Sequence, residues 1–449
     1  MKAQKWMTLV AISIIVIMVG AAAIPAARTT AQENITIKFY RFFGGCTDEY
    51  AGVTDLSQAV GECGSIQVLT NKFNAENEYG ITVETENVDW WTYYDRLTAT
   101  FAGGEPPDIA VMHAGRMPGY VSRGMLRPLN DDFAAAGIDV SDIVPTTLAA
   151  VSFNDKIYAL PWDTHAILWH LNVDLFAQAG LVDDAGNPIL PTSADELLAQ
   201  AKQMKEATGV NYLAVAATND PMMYRAFCIA IWQQGGDVLS EDLTKATLNT
   251  PEGLAAVELF KALFDAGYAD PTLDYAGTGE AFLNGQAAVE INGTWVVDAY
   301  NAQAADPAVV LKNYKVSDYP DLFGTPATLS DHHTWVVPVQ PNPDPAKYEA
   351  SMKFLKYLFD NNFEWAKTGH LPVRVSVLES AELAALPHRS EFLTTANIAR
   401  EVPPIEYQGA FQDITSEALQ GIWLAGNAPD QALGDAEARI NDLLENVRK

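Results

Sequence analysis

Several kinds of chemistry lack their signature in this 449-residue chain. There is no GxSxG elbow for a serine hydrolase and no HExxH helix for a zinc peptidase. No phosphate-cradling glycine loop of the GxxxxGK[ST] type is present, so ATP hydrolysis, if coupled to this chain, belongs to another polypeptide. Basic residues are scarce, 28 Lys and Arg against 57 Asp and Glu. The resulting net charge of −29 repels the phosphates of nucleic acid and anionic lipid alike. Internal repeats and low-complexity tracts are missing. Past the amino terminus no run is apolar enough to span a bilayer.

What is present begins with an export-like segment. Lys2 and Lys5 precede an apolar stretch from Trp6 to Ala23, and small residues follow up to Thr29-Thr30-Ala31. Residues 1–31 are read as a signal peptide cut before Gln32, which makes the protein exported, periplasmic or cell-surface associated. An uncleaved N-terminal anchor is the alternative for a stretch of this length. None of the three cysteines lies where a bacterial lipoprotein would carry its lipid. Cys46 and Cys63 sit close together in a Gly-rich and polar stretch, and an oxidising compartment would let them pair. Metal binding by the pair has no CxxC or HxxxH spacing behind it. Cys228, in the apolar run AFCIAIW, reads as a buried thiol.

At this length two lobes are expected in place of one core. Strand-like and helix-like segments alternate, the pattern of an α/β fold. ITIKFYRFF from Ile35, SIQVLTNKFNAEN from Ser65, ITVETENV from Ile81 and DIAVMH from Asp108 predict a βαβαβ start. Ser193 with Glu196 forms a capping box ahead of Leu197, Ala201 and Met204. Thr250-Pro251 opens a helix carrying Leu254, Val257 and Phe264. Tyr348, Met352, Leu355 and Phe359 make a third apolar stripe, and Leu433, Ala436, Ile440 and Leu444 a last one.

Four stretches resemble the family-1 extracellular solute-binding proteins of carbohydrate ABC importers, the maltodextrin-binding-protein-like group. They are GGEPPDIAVMHAGRMPGYVSRGMLRPLND from Gly103, IYALPWDTHAILWHLNVDLFAQAGL from Ile157, AFLNGQAAVEINGTWVV from Ala281 and TGHLPVR from Thr368. They follow the family's order across nearly the whole chain past residue 31. The departures are His170-Leu171-Asn172 where the family has Tyr-Asn, Val289 where it has Met, and an insertion from Gly44 to Gly64. The resemblance implies a two-lobed periplasmic-binding-protein-like fold with a ligand cleft between the lobes. Lobe 1 is expected over 32–160 plus 328–362, lobe 2 over 161–327 plus 363–449.

A sugar needs planar rings against its CH faces and charged or amide groups for its hydroxyls. Ten tryptophans suit that demand, as they suit a large core. Open α/β sheets bind beyond the carboxyl ends of their strands. At such ends stand His113 and Arg116 after DIAVMH; Trp162, Asp163 and His165 where the chain crosses after IYAL; and Trp295 after VEIN. The resemblance assigns Trp295 a stacking role and favours Trp232, just ahead of Gly235-Gly236, as a cleft residue. Trp90, Trp91, Tyr93 and Tyr94 cannot share one helix face, so most of them, the tyrosines included, are read as core or helix-start packing, with Trp90 or Trp91 the cleft candidate. Trp335, beside His332 and His333, faces a ligand or opens a strand, and Arg374 reaches a ligand or tethers the lobes. The expected function is a monomeric, cofactor-free receptor, not an enzyme, that hands a carbohydrate, above all a neutral oligosaccharide, to transmembrane permease subunits. A secreted glycoside hydrolase is the alternative, because with 57 acids a carboxylate pair is not excluded by counting.

Overall fold

The computed structural model describes residues 34–447, so the segment 1–31 expected to be a signal peptide lies outside the described residues. Among those described, no helix is long and apolar enough to cross a membrane. The alternating strands sort into two main sheets. In the first, Ile81–Asn87, Ile35–Arg41 and Ile109–His113 run parallel, and His333–Val336 and Ala159–Pro161 complete the edge antiparallel. Ile109–His113 is a continuous buried run because helices cover both faces, Pro345–Asp360 packing on Phe39 and Trp90–Ala102 on Tyr40, whereas the edge strand Ile81–Asn87 alternates between buried and exposed residues. Phe39, Val111, Trp335, Phe354 and Leu355 share the resulting core.

The second sheet is built around one ten-residue strand, Asp163–Asn172, with Ala287–Gly293, Thr328–Asp331 and Tyr314–Asp318 against it. Its core holds Trp169, Tyr212, Phe227, Trp232 and the carboxyl-terminal helices Gln408–Ala425 and Pro429–Val447. The chain passes between the sheets at three places: Trp162, His332, and the stretch between Trp365 and Leu371. Thr328–Asp331, expected with the first lobe, hydrogen-bonds in the second sheet, and the first-sheet strand starts at His333.

Local expectations mostly meet their elements. The Ser193 hydroxyl accepts from Glu196 N at 3.2 Å, but the Glu196 carboxylate reaches back to Thr192 N, one residue before the cap. Cys46 and Cys63 are bonded, with Cα atoms 6.0 Å apart. Cys63 lies in the first turn of Gly61–Glu76 and not in a loop, because that helix begins four residues before Ser65.

Candidate functional site

Two joined cavities, of about 230 and 270 Å³, open between the sheets at the carboxyl ends of their strands. Both are lined by Trp90, His113, His165, Arg225 and Trp295. Trp90 begins the helix Trp90–Ala102, whose cap is the Asp89 carboxylate accepting from Trp91 N at 3.0 Å. Trp91, its neighbour, is half exposed and stands edge-on to it. His113 ends its strand with its ring flat against Phe42, 5.2 Å between centroids, and its Nδ1 2.6 Å from the Tyr94 hydroxyl. Arg116 follows in a short turn, its guanidinium over the Tyr94 ring.

From the other side, Ala287–Gly293 delivers Trp295. The indole N–H donates to the Tyr275 hydroxyl at 2.7 Å, and Arg225 lies 5.6 Å from the ring. Gly293 is required here. A Cβ on it would stand 2.0 Å from the Trp295 ring, so only glycine lets the indole fold back along the strand end. Beneath the indole, Tyr275 approaches the Asn292 amide oxygen at 3.4 Å, and Asn292 donates to Glu290 at 2.8 Å. Burial pushes the Glu290 carboxyl up to about 7. His165 projects from the strand between the lobes, Nδ1 3.1 Å from Asp163 Oδ1 and its ring edge toward Trp295. Burial, and then the neighbouring histidines, hold both His113 and His165 well below the usual imidazole range, so both are neutral hydrogen-bonding rings at pH 7.

Five of the candidates therefore line the cleft: Trp90, His113, Arg116, His165 and Trp295. Five others lie elsewhere. Trp162 and Trp335 are wholly buried in the first core, 5.9 Å apart, because the crossing turns the Trp162 ring inward to join Trp365. Trp232 packs in the second core with its indole N–H on Asp237. Asp163 is fully buried below the cleft, accepting from His165, His333 and Trp365. Arg374 binds Asp142 at 2.7 Å and covers Phe359, which makes it a tether.

Reading the sequence missed Arg225, Asp220 and Tyr275, and set Tyr94 aside with the core. Arg225 had a signal: it is a lone charge in the first turn of the apolar helix Met222–Gln233. Asp220, pushed up by burial to about 6, and Tyr275 carried none, since their place depends on the fold of the second lobe.

Residues 69–391 match the family model of bacterial extracellular solute-binding proteins. A binding protein of Brucella abortus is 28% identical over 400 residues, spanning 83% of this chain and 88% of its own. The sn-glycerol-3-phosphate-binding periplasmic protein of Escherichia coli is 26% identical over 424 residues, 87% and 91% of the two chains. Among solved structures, an ABC transporter solute-binding protein of Thermotoga lettingae bound with α-D-tagatose superposes with a TM-score of 0.77 at 24% identity, covering 91% of this chain and 100% of that one. A maltose-bound protein of T. maritima gives 0.77 at 20%, with the same coverage. At these identities the structural likenesses speak for the fold.

Proposed function

The chain belongs to the bacterial extracellular solute-binding proteins, and on that footing we propose that it captures a neutral carbohydrate between its lobes and delivers it to the permease of an ABC importer. The observation that carries this reading is the pairing of Trp90 from one lobe with Trp295 from the other across a cavity whose wall is His113, His165, Arg116 and Arg225. The indoles cover the apolar faces of a sugar ring, and the polar side chains take its hydroxyls. Ligand contacts made by both lobes at once favour the closed arrangement, which the permease then distinguishes from the open one. No bond needs to break. Of the acids bordering the cavity, Asp331 accepts from Gly115 N and His332 N, Glu401 from His332, and Asp220 from Met222 N, while Glu62 stands 3.3 Å from His370 Nε2.

A second reading, a phosphorylated polyol, is favoured by one feature, the two guanidiniums of Arg116 and Arg225 on the cavity wall. The lobes follow the two sheets, one completed by the stretch from His333 to Trp365, the other holding the rest of the chain beyond Trp162. The test is a thermal-shift and calorimetric screen of the chain without residues 1–31 against neutral mono- and oligosaccharides and glycerol phosphate. A ligand at 100 times its dissociation constant raises stability by about 2.7 kcal/mol. Tight binding of a neutral sugar, recovered unchanged after long incubation, is the expected outcome. Preference for the phosphorylated compound selects the second reading, and release of shortened sugar refutes a receptor.

A further inference from the structure

Five of the seven histidines in this chain, His113, His165, His332, His333 and His370, meet at one place where the chain crosses between the lobes. We propose that three of them, His165, His333 and His370, together with Asp163, bind a divalent transition metal of the Zn²⁺ class that ties the crossings together at the inner end of the cleft. One ligand atom from each of the four residues lies within 4.8 Å of all the others, and all four residues are buried. From Asp163 Oδ1 to His165 Nδ1 is 3.1 Å, and from Oδ2 to His333 Nδ1 is 2.8 Å and to His370 Nε2 3.7 Å. Tetrahedral Zn²⁺ with bonds of about 2.0 Å holds its ligands roughly 3.3 Å apart, inside that spread.

His370 points most directly to a ligand. It is completely buried, yet its Nε2 makes no hydrogen bond; Glu62 stands 3.3 Å away and Asp163 3.7 Å. An unsatisfied buried nitrogen is costly, and metal coordination would satisfy it. The ring is already held in the required pose, with Nδ1 2.7 Å from the Thr368 hydroxyl and its face on Trp365. Asp163 is oriented in the same way by the Trp365 indole N–H at 2.6 Å and by His333 N. Such outer partners are what metal-binding imidazoles and carboxylates use to keep their orientation. Three nitrogens and one carboxylate oxygen suit Zn²⁺ among the common divalent ions. An ion has a way in, because His165, His333 and Glu62 line the cleft cavity. Each crossing contributes: Asp163 and His165 follow the first, His333 the second, and His370 the third. The ion would therefore staple the hinge and fix His165 beside Trp295.

The experiment uses the chain without residues 1–31, stripped with a chelator and titrated with Zn²⁺ alone by calorimetry, and with Co²⁺ followed by visible absorption. The expected result is one Zn²⁺ per chain, a raised unfolding midpoint and the d–d bands of four-coordinate Co²⁺. His370→Gln and His333→Gln each weaken Zn²⁺ binding by more than about 100-fold, beyond what loss of an outer partner costs, while His388→Gln leaves it unchanged. Wild-type protein that takes up no stoichiometric Zn²⁺ or Co²⁺ overturns the proposal without any variant having to fold. Uptake that survives both substitutions in folded protein overturns it as well, by assigning the ion to other surface groups.

Discussion

Replacing Gly293 by alanine probes the cleft with a single methyl group. The backbone there is extended, φ −113° and ψ −178°, so alanine is conformationally allowed. The difficulty is space: the new Cβ would lie 2.0, 2.2 and 2.3 Å from three carbons of the Trp295 ring. Carbon atoms rest about 3.5–4.0 Å apart, so the indole must retreat by more than about 1 Å. That motion breaks its 2.7 Å bond to Tyr275 and takes the ring off the ligand. Losing the stacking geometry costs about 1 kcal/mol, roughly 5-fold in Kd, whereas the lost hydrogen bond, absent from free and bound variant alike, costs about 1 kcal/mol of the free protein's stability. Because the three nearest atoms all belong to one partly exposed side chain, the unfolding midpoint of the ligand-free protein moves by no more than the loss of that one bond. Calorimetry with the ligand identified in the sugar screen, tryptophan fluorescence and a thermal melt read these quantities. In a Trp295→Ala background the same change should cost nothing further, since the clash is gone. Wild-type affinity in Gly293→Ala, or an equal loss in both backgrounds, refutes the reasoning.

Two further outcomes follow from burial. Trp162→Ala should lower stability by about 3–5 kcal/mol, as expected for a wholly buried indole packed on Trp335 and Trp365, whereas Trp295→Ala should weaken binding and move the melting curve far less; equal melting shifts would contradict the assignment of one to core and the other to cleft. Glu290, raised by burial to about 7 among Tyr275, Tyr300, Tyr314 and Asn292, keeps its proton in the folded chain while the unfolded chain releases it above about 4.5. Its contribution is complete below pH 4.5 and is lost as pH rises to about 7, on the order of 3 kcal/mol in all. Glu290→Gln should therefore match wild type near pH 4.5 and exceed it at pH 8; parallel denaturation curves across that range would sink this account.

The βαβαβ start was readable because each element there obeys local rules: alternating or continuous apolar strands, and helices with regular stripes. The helix Gly61–Glu76 shows where such rules stop. Its first residue has φ +64°, and its amide donates to Asp298, 237 positions away, at 2.8 Å. No side chain near Val60 caps it, so sequence alone placed its start too late, at Ser65. The tryptophans divide by the same logic. Trp162 and Trp295 both follow a strand end, but Trp162 meets two other indoles in a core, whereas Trp295 is turned back by Gly293 toward the cleft. Residue type and spacing are alike in the two cases, and only the packing across the sheet decides.

That division bears on how the cleft can be selective without being rigid throughout. The groups that would touch a guest, Trp90 and Trp295, stand on opposite lobes and are partly exposed. The groups that hold the lobes in register, Trp162, Asp163, His333, Trp365 and His370, are buried at the crossings and bonded mainly to one another. Closure can then change the distance between the indoles while the crossing cluster moves little, because a hinge concentrates its rotation in a few backbone positions. His165 belongs to both sets, bonded to Asp163 below and edge-on to Trp295 above. With His333, which also lines the cavity and binds Asp163, it is a side chain through which a change at the crossings would be felt directly by the bound solute.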